Sequence, residues 1–259
     1  MRLVPWHILC MIETHEVIEK LCKNMCNMLI LSGKTALYGQ FSDFMSETEG
    51  VIKFQLDFEQ GRALDFPQIE SIELWRQRLM RLGLIGQDDA RYEGLGFGNI
   101  SHRVNYPGTS QAFVITGTQT GRLQQMGAEH YALVTDCDPR RNWLQAQGEV
   151  KPSSEAMTHA VIYQKIPQAE AVVHIHSPEL WRNAQQLGLA ITNPAVEYGT
   201  PQMATEIERI IDAGLPRGHT ISMGGHEDGV ITWGESLHAA GNEILMLLGE
   251  LQNRRAHSQ

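Results

Sequence analysis

Two histidines in an apolar segment constrain this chain more than any other feature. Residues 172–178 read Val-Val-His-Ile-His-Ser-Pro, so His174 and His176 alternate with β-branched residues. In a strand, residues two apart point to the same side, which places both imidazoles on one face and Val173 and Ile175 on the other. Two imidazoles on a rigid strand can begin a zinc site, whose catalytic form has three protein ligands and an open position.

Two further histidines are candidates for the third ligand. His226 lies in a glycine-rich turn, Met-Gly-Gly-His-Glu-Asp-Gly, between two predicted short strands. His159 lies on the helix before the histidine strand, four residues after Glu155 and so on the same helical face. His159 is consistent with orienting Glu155, with an outer contact to a metal ligand, or with simple packing. His174 and His176 could instead be two core histidines that bond to the backbone. The presence of His226 as a possible third ligand favours a metal site over this alternative.

A second polar cluster precedes that helix. Residues 151–155 read Lys-Pro-Ser-Ser-Glu, where Pro152 restricts the approach and Ser153 or Ser154 can cap the helix. Free N–H groups at a helix start bind anions, and two hydroxyls add donors. The same segment is also an ordinary helix start in which Glu155 complements the helix dipole. Taken alone, it leaves both interpretations open.

Length and charge exclude several classes of protein. The 259 residues are enough for one large domain or two small ones. The formal net charge of -9 and the lack of a basic stripe argue against a nucleic-acid partner. No apolar run approaches the roughly 18 residues that a membrane span needs. The negative net charge does not argue against an anionic substrate, because helix N-termini and a metal can make a site locally positive.

The cysteines indicate a reducing compartment. The chain has four of them, at Cys10, Cys22, Cys26 and Cys137, without the matched spacing of a zinc finger. Reduced, structural thiols fit a cytoplasmic protein best.

The composition and hydrophobic pattern of the chain change near residue 45. Residues 1–44 carry scattered Met, Cys and Leu with little periodicity, and residues 45–49 read Met-Ser-Glu-Thr-Glu, like a polar protein start. We expect residues 1–44 to be an N-terminal extension outside the fold and residues 45–259 to form one domain.

Helices and strands mix along the rest of the chain. Pro67 can open a helix without losing a hydrogen bond, and apolar residues follow it at spacings of three and four: Ile69, Ile72, Trp75, Leu79 and Leu82. Strands are predicted at 100–104, 112–116, 131–136, 171–176, 219–223 and 229–233, and helices at 153–165, from 177, at 201–213 and from 237. A run of strands followed by mixed elements indicates an antiparallel or mixed sheet with helices on its faces. The glycines at 94–98 precede a strand, which excludes a dinucleotide-binding fingerprint.

The order of these motifs resembles the class II aldolase/adducin family over roughly residues 65–250. The motifs are Gly-Asn-Ile-Ser at 98–101, Ile-Thr-Gly-Thr-Gln-Thr-Gly at 115–121, Pro-Ser-Ser-Glu at 152–155, Val-His-Ile-His at 173–176, and His226 followed by Gly-Val-Ile at 229–231. The family includes fuculose-phosphate and rhamnulose-phosphate aldolases, an epimerase and a dehydratase. The resemblance implies a three-layer α/β/α fold around a mostly antiparallel central sheet, and a homotetramer.

The same resemblance implies the roles of individual residues. His174, His176 and His226 would bind a divalent metal, most simply zinc, and Glu155 would be the acid/base beside it. A phosphate or other anionic group of the substrate would lie among Asn99, Thr116, Gly117, Thr118, Ser153 and Ser154. The implied activity is a metal-dependent, aldolase-type lyase acting on a small hydroxy-carbonyl compound, such as a sugar phosphate, through a metal-stabilised enediolate. A dehydratase, decarboxylase or epimerase, or a non-catalytic adducin-like scaffold, are the alternatives.

Two departures from the family pattern bear on these expectations. The third ligand of the family is a histidine followed directly by glycine, whereas Glu227 and Asp228 lie between His226 and its glycine. Either His226 still ligates or Asp228 takes the aligned place, and we expect His226. The segment after the histidine strand is also short, and its one tyrosine, Tyr198, does not match the tyrosine that the sugar-phosphate aldolases place across a subunit interface. This weakens the expectation of aldol cleavage but not that of a metal site.

Overall fold

The computed structural model describes residues 51–63 and 66–257 of the chain. The predicted extension at residues 1–44 lies outside these residues. The described elements are β1 (Gln55–Gln60), α1 (Gln68–Arg81), β2 (Gly86–Gln87), β3 (Gly96–Phe97), β4 (Asn99–Arg103), β5 (Phe113–Thr116), β6 (Tyr131–Asp138), β7 (Trp143–Gly148), α2 (Ala156–Lys165), β8 (Ala171–His176), α3 (Pro178–Arg182), β9 (Ala190–Ile191), α4 (Pro201–Ala213), β10 (Thr220–Ser222), β11 (Gly229–Gly234) and α5 (Leu237–Ala256). None of the described helices is long and apolar enough to cross a bilayer.

Nine of the strands form one large sheet in the order β1-β7-β6-β5-β4-β8-β11-β10-β9. At its two edges, β1 joins β7 and β9 joins β10 in parallel, while the neighbours between them pair antiparallel. The sheet is therefore a mixed one, whereas the family resemblance led us to expect a mostly antiparallel sheet. The parallel pairs both involve strands that the sequence does not predict, β1 and β9. The remaining strands, β2 and β3, form a separate antiparallel pair.

The histidine strand β8 lies in the interior of this sheet, between β4 and β11. His174 is paired with Asn99 on one side and with Ile231 on the other. Every residue of β8 is buried, as expected for a strand covered on both faces. The alternation is as predicted, because Val173 and Ile175 pack in a different hydrophobic core from Val172.

Those two cores lie on opposite faces of the sheet and complete three layers. One core contains the buried faces of α1 and α5, and the other contains those of α2 and α4. The predicted stripe of α1 is buried from Ile69 to Leu79, but Leu82 is exposed because the helix has ended at Arg81. The α/β/α layering expected from the sequence is thus present, with the histidine side chains on the α2/α4 side of the sheet.

Candidate active site

Three histidines meet where β8 ends. His174 and His176 come from β8 and His226 from the turn between β10 and β11. The ring centroids are 5.0 Å apart for His174–His176, 5.0 Å for His174–His226 and 4.7 Å for His176–His226. One nitrogen from each ring can be chosen so that all three lie within 4.8 Å of one another, and all three side chains are buried. Such a group could hold a divalent metal ion.

The turn that carries His226 absorbs its two additional residues locally. Its backbone closes on itself, with the Met223 N–H donating to the Gly229 carbonyl at 2.8 Å and the Gly229 N–H donating to the His226 carbonyl at 2.9 Å. Asp228 adopts a left-handed φ of 62° within this turn, which aspartate tolerates better than most residues. The structure brings His226, and not Asp228, to the strand histidines, while the Asp228 carboxylate accepts a hydrogen bond from Tyr92.

Burial favours the neutral form of both strand histidines, which is the form that coordinates a metal. Burial, followed by the charges of neighbouring histidines, holds the pKa of His174 well below its usual range, and burial does the same for the pKa of His176. The side-chain amide of Asn99 lies 3.2 Å from His174 Nδ1. With its oxygen toward the ring, the amide would accept a hydrogen bond from Nδ1–H and leave Nε2 with a free lone pair. Nε2 is buried and has no hydrogen-bond partner among the described residues, so the donor set fits a bound cation.

Glu155 lies beside this group. Its side chain is 1% exposed, and Oε1 is 3.7 Å from His226 Nδ1. The predicted cap is displaced, because α2 begins at Ala156 with Glu155 itself as the N-cap residue. Ser153 instead accepts a hydrogen bond from the Glu155 N–H at 3.3 Å. The carboxylate therefore lies at the start of the helix, pointing into the protein rather than into solvent.

His159 is not one of the three clustered histidines, and it hydrogen-bonds to other core residues. Its Nδ1 is 2.7 Å from the hydroxyl of Ser101, which in turn lies 2.8 Å from the hydroxyl of Tyr163. Complete burial lowers the pKa of His159 to about 3. Of the roles considered for His159, packing in the core agrees best with these contacts, which lead to Ser101 and Tyr163 rather than to Glu155.

The six residues expected to hold an anion line one small cavity. Its walls are Asn99, Thr116, Gly117, Thr118, Ser153 and Ser154, together with Arg76, Ile85, Gly96, Gly98, Gln119, Thr120 and Gly121. Two glycines are required by the geometry. A Cβ at Gly117 would lie 2.9 Å from the His130 carbonyl oxygen, and Gly98 combines a φ of 73° with the close approach of the His174 carbonyl. Asn99 belongs to both the cavity and the histidine group, so the two adjoin.

The charge of the cavity is nearly neutral. Arg76 is the one charged residue among its described lining residues, and it is buried. Its guanidinium donates to both carboxylate oxygens of Glu73, at 2.6 and 2.9 Å, and to the carbonyls of Leu123 and Gln124. Arg76 therefore ties α1 to the loop after the cavity, and recognition of an anion would depend on backbone N–H groups and hydroxyls.

Sequence reasoning missed two tyrosines that cover the histidines. Tyr198 is buried and stacks on His226, and Tyr92 contacts His176 edge-on with ring centroids 4.6 Å apart. The sequence draws attention to Tyr198 only through its mismatch with the family. No local pattern singles out Tyr92, because its contacts with His176 and Asp228 join distant parts of the chain. Arg76 was also missed, although its spacing of three from Glu73 is a visible ion-pair signal.

Comparison with known sequences supports one family. The profile of the Class II Aldolase and Adducin N-terminal domain matches residues 87–248, more than half of the chain. A methylthioribulose-1-phosphate dehydratase from Microcystis aeruginosa is 30% identical over 122 residues, covering 38% of this chain and 58% of that protein. The chain thus spans less than two thirds of this curated relative.

Solved structures agree on the fold. A sugar-phosphate aldolase from Thermotoga maritima superposes with a TM-score of 0.54 at 16% identity, covering 73% of this chain and 94% of that one. An L-fuculose-1-phosphate aldolase from Thermus thermophilus gives a TM-score of 0.52 at 17% identity, covering 73% and 93%. At these identities the likeness concerns the fold alone. Sequence profile and fold together show that the chain belongs to the class II aldolase and adducin N-terminal domain family.

Proposed function

We propose that this protein is a metal-dependent lyase acting on a small, phosphorylated hydroxy-carbonyl compound. The observation that carries the proposal is the position of Glu155, a buried carboxylate 3.7 Å from one of three clustered histidines. A polar cavity that shares Asn99 with this group adjoins it. Metal ligands, an acid/base and an anion pocket are the parts that such a reaction needs.

The metal would be held by His174, His176 and His226, and zinc suits three neutral imidazoles with one position left open. When bound, the ion would supply Lewis-acid polarisation of the substrate carbonyl. The protein contributes the preformed ligand set, because the strand histidines stay neutral through burial. Asn99 would hold His174 in the tautomer that carries its proton on Nδ1, which leaves Nε2 free to bind the ion.

Glu155 would move the proton. For dehydration, the carboxylate would remove a proton from the carbon next to the polarised carbonyl and pass it to the hydroxyl group that leaves as water. For aldol cleavage, it would take the proton of the hydroxyl group whose carbon becomes the new carbonyl as the carbon–carbon bond breaks, and return it to the released carbon of the other fragment. Its place at the start of α2 sets the carboxylate at the positive end of the helix dipole. Neighbouring Ser153 and Ser154 would hold the anionic end of the substrate, which sets the distance from that end to the reacting carbon.

Aldol cleavage and dehydration are both compatible with these parts. The similarity to a dehydratase in sequence favours dehydration as the second candidate. A purely structural role is disfavoured, because a scaffold has no physical need for three buried imidazoles beside a buried carboxylate.

A homo-oligomer, with a tetramer expected, is part of this proposal. Leu74 on α1 and Met246 on α5 are 51% and 61% exposed, and large exposed apolar side chains are common at subunit contacts. Light scattering at micromolar concentration tests this, and a monomer would contradict it.

Screening of the purified full chain against small sugar phosphates and hydroxy acids, with and without added zinc, tests the proposal. Cleavage yields two carbonyl fragments, whereas dehydration yields a single product lighter by one water in mass spectrometry. Turnover that requires metal and disappears in Glu155→Gln supports the proposal. Turnover that persists in metal-free protein would contradict it.

A further inference from the structure

A hydrogen bond between two residues 136 positions apart joins the segment before β3 to the turn that carries His226. The Tyr92 hydroxyl donates to Asp228 Oδ2 at 2.8 Å. Asp228 is one of the two residues that separate His226 from its glycine, and it is not itself among the clustered histidines. Its buried carboxylate is therefore not grouped with the proposed metal ligands, and it binds Tyr92 instead.

Asp228 connects the turn to the histidine strand through its backbone as well. Its carbonyl accepts a hydrogen bond from the Ser177 N–H at 2.8 Å, and Ser177 directly follows His176. The backbone of Asp228 thus holds the turn against the end of β8, while its side chain holds Tyr92. His226, two residues earlier, is located by the same turn.

Tyr92 is held at both its hydroxyl and its ring. Its hydroxyl accepts a hydrogen bond from Arg91 Nη2 at 2.7 Å while donating to Asp228. Its ring meets His176 edge-on at 73° and Phe97 at 67°. Tyr92 and Glu93 both adopt left-handed φ angles, 49° and 57°. Two consecutive non-glycine residues in this region cost free energy, and such strain persists where surrounding contacts determine the conformation.

We propose that Tyr92 and Asp228 are positioning residues of the metal centre, which act together to hold His226 against His174 and His176. The inference rests on the proposed metal site. A turn lengthened by two residues has more conformations than a short one, and fixing one of them requires contacts outside the turn. The Tyr92–Asp228 hydrogen bond supplies such a contact and at the same time places an aromatic wall against His176.

The test compares metal binding in Tyr92→Phe, Asp228→Asn and the double variant of the full chain. Phenylalanine keeps the ring against His176 and removes only the hydroxyl, while asparagine tolerates the left-handed φ and removes the charge. Zinc affinity is measured by competition with a chromophoric chelator, and the ligand geometry by the visible absorption of the cobalt-substituted protein. Urea unfolding of each metal-free variant reports stability separately.

Tyr106→Phe is the matched control, because the Tyr106 hydroxyl also takes part in one long-range hydrogen bond, from Gln147 Nε2 at 2.7 Å. We expect Tyr92→Phe to weaken zinc binding about 10–100-fold, as loss of outer partners of metal ligands does, and to alter the cobalt spectrum. The double variant should bind zinc no more weakly than Tyr92→Phe, because that change already removes the hydrogen bond whose acceptor asparagine only weakens. Tyr106→Phe should bind zinc like the wild type.

The outcomes separate this inference from the proposed function. Wild-type zinc affinity and an unchanged cobalt spectrum in Tyr92→Phe would overturn the positioning role while leaving the metal site standing. The same is true if Tyr92→Phe lowers only the stability of the metal-free protein. A wild-type chain that binds neither zinc nor cobalt would overturn both.

Discussion

The ring of Tyr198 lies flat on the imidazole of His226, with centroids 4.3 Å apart and planes 20° apart. The ammonium group of Lys53 also contacts Tyr198, since it lies 4.0 Å from the ring centroid and donates a hydrogen bond to the Tyr198 carbonyl at 3.2 Å. Stacked aromatic pairs and cation–π contacts each contribute stability beyond the area they bury. The histidine that comes from a turn is therefore restrained by packing as well as by the turn's own backbone.

Replacement of Tyr198 by leucine should weaken metal binding. The stacking contribution of about 0.5–1.5 kcal/mol corresponds to a roughly 2–10-fold loss of affinity, and the loss of a fully buried ring should also lower the free energy of unfolding. Tyr198→Phe preserves the stacked ring and is the control. Chelator competition and urea unfolding measure the two effects. Equal zinc affinity in the leucine and phenylalanine variants would show that stacking does not restrain His226.

The purified protein should hold about one divalent ion per chain, in keeping with one three-histidine site. Replacing both His174 and His176 by alanine should remove it, since a single remaining imidazole binds metal weakly. His257→Ala, which removes an exposed histidine just after α5, should leave the metal content unchanged. Elemental analysis measures the metal content of each variant. A double variant with full metal content would show that the ion binds elsewhere.

The stability of the metal-free protein should fall in acid, and His159 should contribute to this fall. The pKa of His159 is lowered by burial to about 3 in the folded state, whereas an unfolded histidine has a pKa of about 6.5. Between these values the unfolded chain binds a proton that the folded chain does not, so the free energy of unfolding decreases as pH falls below about 6.5.

His159→Gln should reduce this dependence by up to about 1.4 kcal/mol per pH unit at roughly pH 4–5.5. Urea unfolding of the metal-free protein at several pH values measures the slope for both proteins. A slope identical to that of the wild type would mean that His159 becomes protonated in the folded protein.

Local periodicity accounts for the parts of the fold that could be predicted. The alternation around His174 and the stripe of α5 from Leu237 to Leu251 both repeat within a few residues, and both are buried as expected. The strands β1 and β7 also alternate apolar and polar residues, yet their parallel pairing joins distant segments. Nothing within either segment specifies its partner, which is why the mixed character of the sheet could not be decided from the sequence.

The same distinction applies to the candidate site. His174 and His176 were identified from a local pattern, whereas the role of Glu155 was expected only from the family resemblance. The choice of His226 over Asp228 agrees with the observed clustering. The role of Asp228 depends on Tyr92, which approaches from a segment without a regular pattern. Contacts of this kind are set by tertiary packing, and one sequence contains no signal for them.

The cavity should bind inorganic phosphate through neutral donors. Ser154→Ala removes a buried hydroxyl of the lining and should weaken phosphate binding about 5–10-fold, the effect of one hydrogen bond of roughly 1–1.5 kcal/mol. Ser71→Ala on the outer side of α1, where the hydroxyl donates to the Gln68 carbonyl, is the control and should have no effect. Isothermal titration calorimetry measures both, and equal affinity in both variants would exclude Ser154 from the anion pocket.

Glu155→Gln should abolish turnover and leave the metal bound. Glutamine has nearly the same shape, so the buried position next to His226 is retained, but an amide cannot accept a proton. General acid/base catalysis typically contributes about 10²–10⁴-fold, and a loss of that size is expected in kcat.

A role for Glu155 at the helix start alone would give a different result. Loss of the dipole interaction would then cost about 0.3–1 kcal/mol of stability and leave the rate intact. Glu70→Gln is the matched control, because Glu70 is an acidic residue in the first turn of α1 and is exposed. Metal analysis and kinetics on the same preparations separate the possibilities. A metal-loaded Gln variant with the wild-type rate removes Glu155 from the mechanism, and a variant that has lost its metal makes Glu155 a ligand, because the imidazoles alone then fail to hold the ion.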